Sequence, residues 1–126
     1  MNTTTSLRIA AIVGASAIAL GAFGAHGLKP HLDAYQLDIY KTGVLYHMMH
    51  SVALLVLAFK MHENTIFRQS FVLMLIGVLL FSGSLYLLAT KSVMGIDHWS
   101  WLGPLTPIGG LCFILGWVNL VRVKTP

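Results

Sequence analysis

Eight side chains in this sequence have types and spacings that could do chemistry: His26, Tyr46, His47, His50, Ser82, Ser84, Tyr86 and Thr106. Tyr46 and His50 are four apart and so share one face of a helix, as do Ser82 and Tyr86, while His47 and His50 are three apart. A phenol, an imidazole and two hydroxyls can donate and accept among themselves across helices, forming a buried network that fixes register. The same set could line a site for a ligand or a lipid headgroup. A haem would need axial ligands from facing helices, and His26 with His47 or His50 is the only available pairing. Metal ligation by His47 and His50 alone leaves coordination incomplete, so no metal and no cofactor is expected. A nucleophile with an evident base and a carboxylate pair are both lacking, and no catalytic residue is assigned. Cys112 is the single cysteine and reads as a small packing residue.

These groups must be positioned by membrane-spanning elements. Apolar types make up 56% of the 126 residues and charged types only 10%, well outside the usual globular mix. Apolar runs lie between consecutive charges at Ile9 to Leu28, Thr42 to Phe59, Gln69 to Thr90 and His98 to Val121. Each approaches or exceeds the roughly 20 residues that cross a hydrocarbon core. They show no period-2 alternation, which selects helices over barrel strands. The expected spans are 7–26, 42–60, 69–90 and 104–122, in one domain covering 1–126. The first run is longer than a signal-peptide core and three more spans follow it, so it is read as retained. The formal net charge is +4, but the basic residues are scattered singly, which argues against nucleic acid as a partner.

Arg8, Lys60, Arg68, Arg122 and Lys124 collect on one side, against Lys29, Lys41 and Lys91 on the other. The positive-inside tendency then puts both termini in the cytoplasm. At 1.5 Å per residue, Tyr46, His47 and His50 lie roughly 6, 8 and 12 Å in from the outer face, and Ser82, Ser84 and Tyr86 about 12, 9 and 6 Å. His26 ends helix one there and Thr106 begins helix four, so the polar groups share the outer half. The connection between helices two and three is short, which makes them antiparallel neighbours. Leu28, Leu32, Tyr35 and Ile39 recur at helical spacing, giving an outer interfacial helix or an outward extension of helix two. Tyr35, Tyr40, Trp99 and Trp101 supply an aromatic belt.

Small residues mark the packing faces. Ala10, Gly14, Ala17, Gly21 and Gly24 form a stripe on helix one, which is therefore expected to be central, and Gly109, Cys112, Gly116 and Asn119 form another on helix four. Gly77 and Ser84 lie seven apart on helix three. The run Gly103-Pro104-Leu105-Thr106-Pro107 reads as non-helical, with Thr106 as N-cap and Pro107 as the first helical residue. Helix four then falls short of a full crossing, and the N–H groups at Thr106 to Gly109 could meet an anion such as a lipid phosphate.

The blocks GAFGAHG (Gly21 to Gly27), YHMMH (Tyr46 to His50), FSGSLY (Phe81 to Tyr86), TPIGG (Thr106 to Gly110) and GW (Gly116-Trp117) closely resemble the domain-of-unknown-function 423 family of small four-helix membrane proteins, the transmembrane protein 256-like family. The blocks run from the first helix to the last in the family's order. The resemblance implies a multi-pass protein of the bacterial inner membrane and carries over no catalytic or ligand residue.

The expected architecture is an all-α, integral membrane four-helix bundle with both termini cytoplasmic and a short outer interfacial helix before helix two. The expected function is a non-enzymatic interaction protein that engages membrane lipid or a larger membrane complex through its outer-leaflet face. A small-solute or ion transporter or channel, acting as an oligomer, is the first alternative. No acidic residue lies inside a span and no inverted repeat is visible, which weighs against it. A His-ligated redox subunit ranks last.

Overall fold

The computed structural model describes residues 2–124. Its regular structure is helical, with no strand among the described residues, and four of the helices are long and apolar enough to cross a membrane. They are α1 (Thr3–His31), α2 (Ala34–Lys60), α3 (Thr65–Met94) and α4 (Leu102–Leu120).

The starts of the first three helices follow from side-chain capping, which satisfies the orphan N–H groups of a first turn. The Asn2 side chain accepts from the Thr5 N–H, and the Asn64 side chain accepts from the Ile66 N–H. Asp33 and Gln36 form a reciprocal capping box at α2. Helix α2 thus begins eight residues before the apolar run, and Tyr35 and Ile39 belong to its first turns. Only a single 3-10 turn, Lys29–His31, precedes it. The segment expected as a short interfacial helix before helix two instead forms the first turns of α2, a continuous extension of that helix. Helix α3 stops at Gly95, whose φ of 68° is the left-handed conformation that glycine adopts without a Cβ penalty.

Two helices contain π turns that the periodicity does not announce. Helix α1 widens at Gly24–Leu28, and α3 widens at Val78–Ser82 between its regular parts Thr65–Gly77 and Gly83–Met94.

Helix α4 corrects the expectation built on its prolines. The Gly103–Pro107 run is helical, with Trp101 rather than Thr106 at the cap position and Pro107 inside the helix. Pro104 occupies the third helical position, where a missing N–H leaves nothing unpaired, and Pro107 forfeits one bond near the end. Nineteen residues span roughly 28 Å at 1.5 Å each, close to a full crossing. The N–H groups of Thr106 to Gly109 are therefore internal to the helix, and the expected anion cradle is absent there.

Helices α2 and α3 each pack between two neighbours, whereas α1 lies at one side of the bundle, correcting the expectation for α1. Helix α2 packs against α1 on one side and α3 on the other, and α4 lies against α3. The stripe on α1 does face a neighbour: Ala10 and Ala17 are buried, and a Cβ on Gly21 would stand 3.2 Å from Val44 of α2. Close approach needs one partner helix, so small residues do not require a central position.

Two apolar clusters sit at opposite ends. Near the chain termini Leu54, Leu57 and Ala58 of α2 pack with Ala10, Phe71 and Met74. At the far end Leu28, Tyr40 and Ala89 meet. Tyr40 is thus a core residue, only 2% exposed, whereas Tyr35 and Trp101 remain on the surface.

Candidate functional site

Between the two clusters lies a layer of polar and aromatic side chains, organised as three separate connections rather than one pool. In the first, His47 is buried on α2 and reaches both neighbours. Its Nδ1 lies 3.0 Å from the Tyr86 hydroxyl of α3, and its Nε2 lies 3.3 Å from the Ser16 hydroxyl of α1. Ser16 gives its own proton to the Val13 carbonyl at 2.9 Å. Nε2–H therefore donates to Ser16, and Nδ1 accepts from the Tyr86 O–H.

The second connection centres on His50, also buried. Its Nδ1 is 2.8 Å from the Tyr46 carbonyl, which can only accept, so Nδ1 carries the proton. Nε2 is left as an acceptor and receives the Trp117 indole N–H at 3.2 Å. The imidazole stacks on Phe113 of α4, with centroids 3.6 Å apart and planes 14° apart. Phe81 and Tyr46 extend this stack, their centroids 4.6 Å apart.

The third connection joins α3 to α4. Ser84 donates to the Phe81 carbonyl at 3.0 Å, so the 2.6 Å contact with Thr106 has the threonine as donor. Thr106 is thus a helix-packing hydroxyl on α4, not a cap.

The eight expected residues are therefore distributed unevenly. His47 and Tyr86 come together, and so do Ser84 and Thr106. Tyr46 contributes its carbonyl and ring, while its side chain is 37% exposed. His26 is exposed in the π turn of α1, and no hydrogen bond among the described residues joins it to the layer. Ser82 is fully buried in the π turn of α3, and its hydroxyl has no hydrogen-bond partner among the described residues.

Three contributors escaped the sequence reading. Ser16 and Trp117 supply half of the polar contacts to the histidines. Tyr40 donates to the Leu20 carbonyl at 2.7 Å and ties α1 to α2.

Glycines set how closely these connections can form. A Cβ on Gly109 would meet the Phe81 backbone, 2.8 Å from its Cα, so α3 and α4 touch nearly backbone to backbone beside the Ser84–Thr106 pair. Gly116 is buried against Met74, and the site of a Cβ on Gly14 is 3.6 Å from the Ser51 hydroxyl.

Chemically, the layer is closed. All four ring nitrogens of His47 and His50 are engaged, leaving no lone pair free for a metal or a substrate proton without breaking a helix–helix contact. Among the described residues, no group of three or more His, Cys, Asp or Glu side chains is placed to hold a metal ion.

Comparison with known proteins agrees with this architecture. A family described as "Protein of unknown function (DUF423)" matches residues 20–110. The chain is 43% identical over 115 residues to a UPF0382 membrane protein of Haemophilus influenzae, covering 90% of this chain and 88% of that one. It is 40% identical over 116 residues to the UPF0382 membrane protein YwdK of Bacillus subtilis, covering 90% and 89%. It is 38% identical over 130 residues to the UPF0382 inner membrane protein YgdD of Escherichia coli K12, covering 98% and 95%. No solved structure matches. With four spanning helices and these relatives, the chain is a multi-pass inner-membrane protein and belongs to the DUF423 family.

Proposed function

We propose that the chain is a non-enzymatic interaction protein, with both termini in the cytoplasm, that engages lipid or a larger membrane complex through its outer-leaflet face. One observation carries this reading. The side chains best suited to chemistry, His47 and His50, have three ring nitrogens committed to holding helices together and the fourth, His50 Nδ1, to the Tyr46 carbonyl of their own helix. What the bundle offers outward is surface. At the outer end Tyr35, Leu45 and Met49 are exposed. A groove of about 510 Å³ between α1 and α2 is floored by Gly21, Tyr40 and Val44 and flanked by Lys29 and Lys41. The turns from Leu28 to Ile39 then lie along the outer interface. A transporter would need polar groups continuing across the bundle. Here they form discrete pairs, each ending on a backbone carbonyl or another side chain.

The reading is tested by extracting the chain from native membranes into lipid nanodiscs and identifying co-purifying species by mass spectrometry. A stoichiometric membrane partner or lipid, lost on Leu45→Ser/Met49→Ser substitution, supports it. A stoichiometric metal, a Soret band or substrate turnover in the isolated chain would overturn it.

A further inference from the structure

At the end of the bundle that carries both chain termini, an open groove of about 830 Å³ runs between α3 and α4. Its walls are apolar, with Val72 from α3 and Leu115 and Val118 from α4 all exposed, and its mouth is framed by Arg68 and Arg122. The two guanidinium groups come from different helices, and the placement of one of them is built. Asn119 clamps α4 to α3, donating from Nδ2 to the Ile66 carbonyl at 3.3 Å and to the Ser70 hydroxyl at 3.1 Å. Its Oδ1 accepts from Arg122 Nη1 at 3.1 Å, which holds that guanidinium at the mouth. Among the described residues the one ion pair joins Lys60 to Glu63, so neither arginine has a carboxylate of those residues within 4 Å.

We infer that this groove binds one anionic phospholipid, with its phosphate between Arg68 and Arg122 and an acyl chain along Val72, Leu115 and Val118. A phosphate accepts bidentate hydrogen bonds from guanidinium groups, and a headgroup so held points its acyl chain into the hydrocarbon. Both arginines lie where their helices leave the apolar span: Arg68 in the first turns of α3, and Arg122 two residues past the end of α4. Basic pockets between spanning helices on the cytoplasmic side are suited to anionic headgroups, and that leaflet supplies such lipids. A free anion would gain nothing from the apolar walls, and a zwitterionic lipid would gain less from two uncompensated cations. The inference rests on the membrane orientation proposed above, but not on the outer-leaflet face or its partner.

The test is native mass spectrometry of the full chain reconstituted with equal amounts of phosphatidylglycerol and phosphatidylcholine of matched acyl chains. The wild type should retain one phosphatidylglycerol, preferred over phosphatidylcholine by about twenty-five-fold, the product of two basic side chains each contributing about fivefold. Arg68→Gln/Arg122→Gln should bring the preference near parity. Lys60→Gln/Lys91→Gln, which removes the same charge elsewhere, should keep it. Leu115→Trp fills the groove from an exposed position with both arginines intact, and should lose the retained lipid even if the arginine variant fails to fold. Equal retention of both lipids by the wild type, an unchanged preference in the arginine variant, or full retention in Leu115→Trp would overturn the inference. Displacement of the lipid by inorganic phosphate would also overturn it, by assigning the mouth to a free anion. None of these outcomes involves the outer-end groove or a co-purifying partner, so failure here is distinct from failure of the proposed function.

Discussion

The indole Nε1 of Trp117 lies 3.2 Å from Nε2 of His50, and the same imidazole stacks on Phe113 one helical turn away. One side chain of α2 thus meets α4 both through its edge and through its face. Within hydrocarbon, interhelical hydrogen bonds contribute about 0.6 kcal/mol on average and up to about 1.7 kcal/mol. Trp117→Phe keeps most of the ring area and removes the donor, so it should destabilise the fold by about 0.6–2 kcal/mol. His50→Ala also loses the stacking and should cost about 1–3 kcal/mol. Thermal unfolding in detergent reads both. The double variant should fall short of the sum of the singles, and strict additivity would show that the two side chains do not interact.

The connection through His47 makes a parallel prediction for α1. Tyr86→Phe and Ser16→Ala each strip one partner from a buried imidazole, and each should cost about 0.6–2 kcal/mol. Their effects should be coupled, because both act on the same ring. Wild-type melting of both variants would place His47 in contact with water or lipid instead.

Ser82 predicts the opposite sign. Its buried hydroxyl makes no hydrogen bond among the described residues, and an unsatisfied polar group in an apolar setting costs about 1–3 kcal/mol. Ser82→Ala should leave the melting temperature unchanged or raise it. A clear loss of stability would mean that a bound water or ligand satisfies the hydroxyl in the membrane.

Two glycines of similar appearance in the sequence should also behave differently. Gly83 is helical, with open space where a Cβ would go, so Gly83→Ala should stabilise by about 0.5–1 kcal/mol. Gly109 faces the Phe81 backbone, which cannot swing aside, and Gly109→Ala should cost about 1–3 kcal/mol. Equal effects in a detergent unfolding series would contradict the close α3–α4 approach.

The four spans and the pairing of adjacent helices were legible because lipid imposes them: a run of about twenty apolar residues with its backbone self-satisfied has one solution. Other features depended on neighbours that no local spacing names. Small residues on α1 signal close approach, but not whether one helix or three make it, and α1 packs chiefly against α2. Ser82 and Tyr86 do share the face turned to α2, both lying against Gly43. Spacing did not show that Tyr86 reaches His47 while the Ser82 hydroxyl meets no partner among the described residues. Ser16 and Trp117 are solitary polar groups in apolar runs, and only the assembled bundle shows which imidazole each one meets. The prolines flanking Thr106 misled for a local reason: Pro104 in the first turn leaves nothing unpaired, Pro107 forfeits a single bond, and a start signal can sit inside a helix that has already begun.

Orientation has its own check. Reporter fusions in the Met61–Asn64 connection and after α4 should both report cytoplasm, following the five-to-three division of Lys and Arg. A periplasmic signal at either position would reverse the leaflets assigned to the two grooves.

The claim that the buried histidines are spent on structure is met most directly by long-range proton–nitrogen correlation of the imidazoles in nanodiscs at neutral pH. The hydrogen-bond partners require different tautomers of two residues three positions apart: Nε2–H for His47, donating to Ser16, and Nδ1–H for His50, donating to the Tyr46 carbonyl. Each should appear as a single fixed tautomer, unmoved by added zinc. Rapid exchange between tautomers, the reverse assignment, or a shift of either ring on metal addition would show a free nitrogen lone pair and contradict a purely structural role.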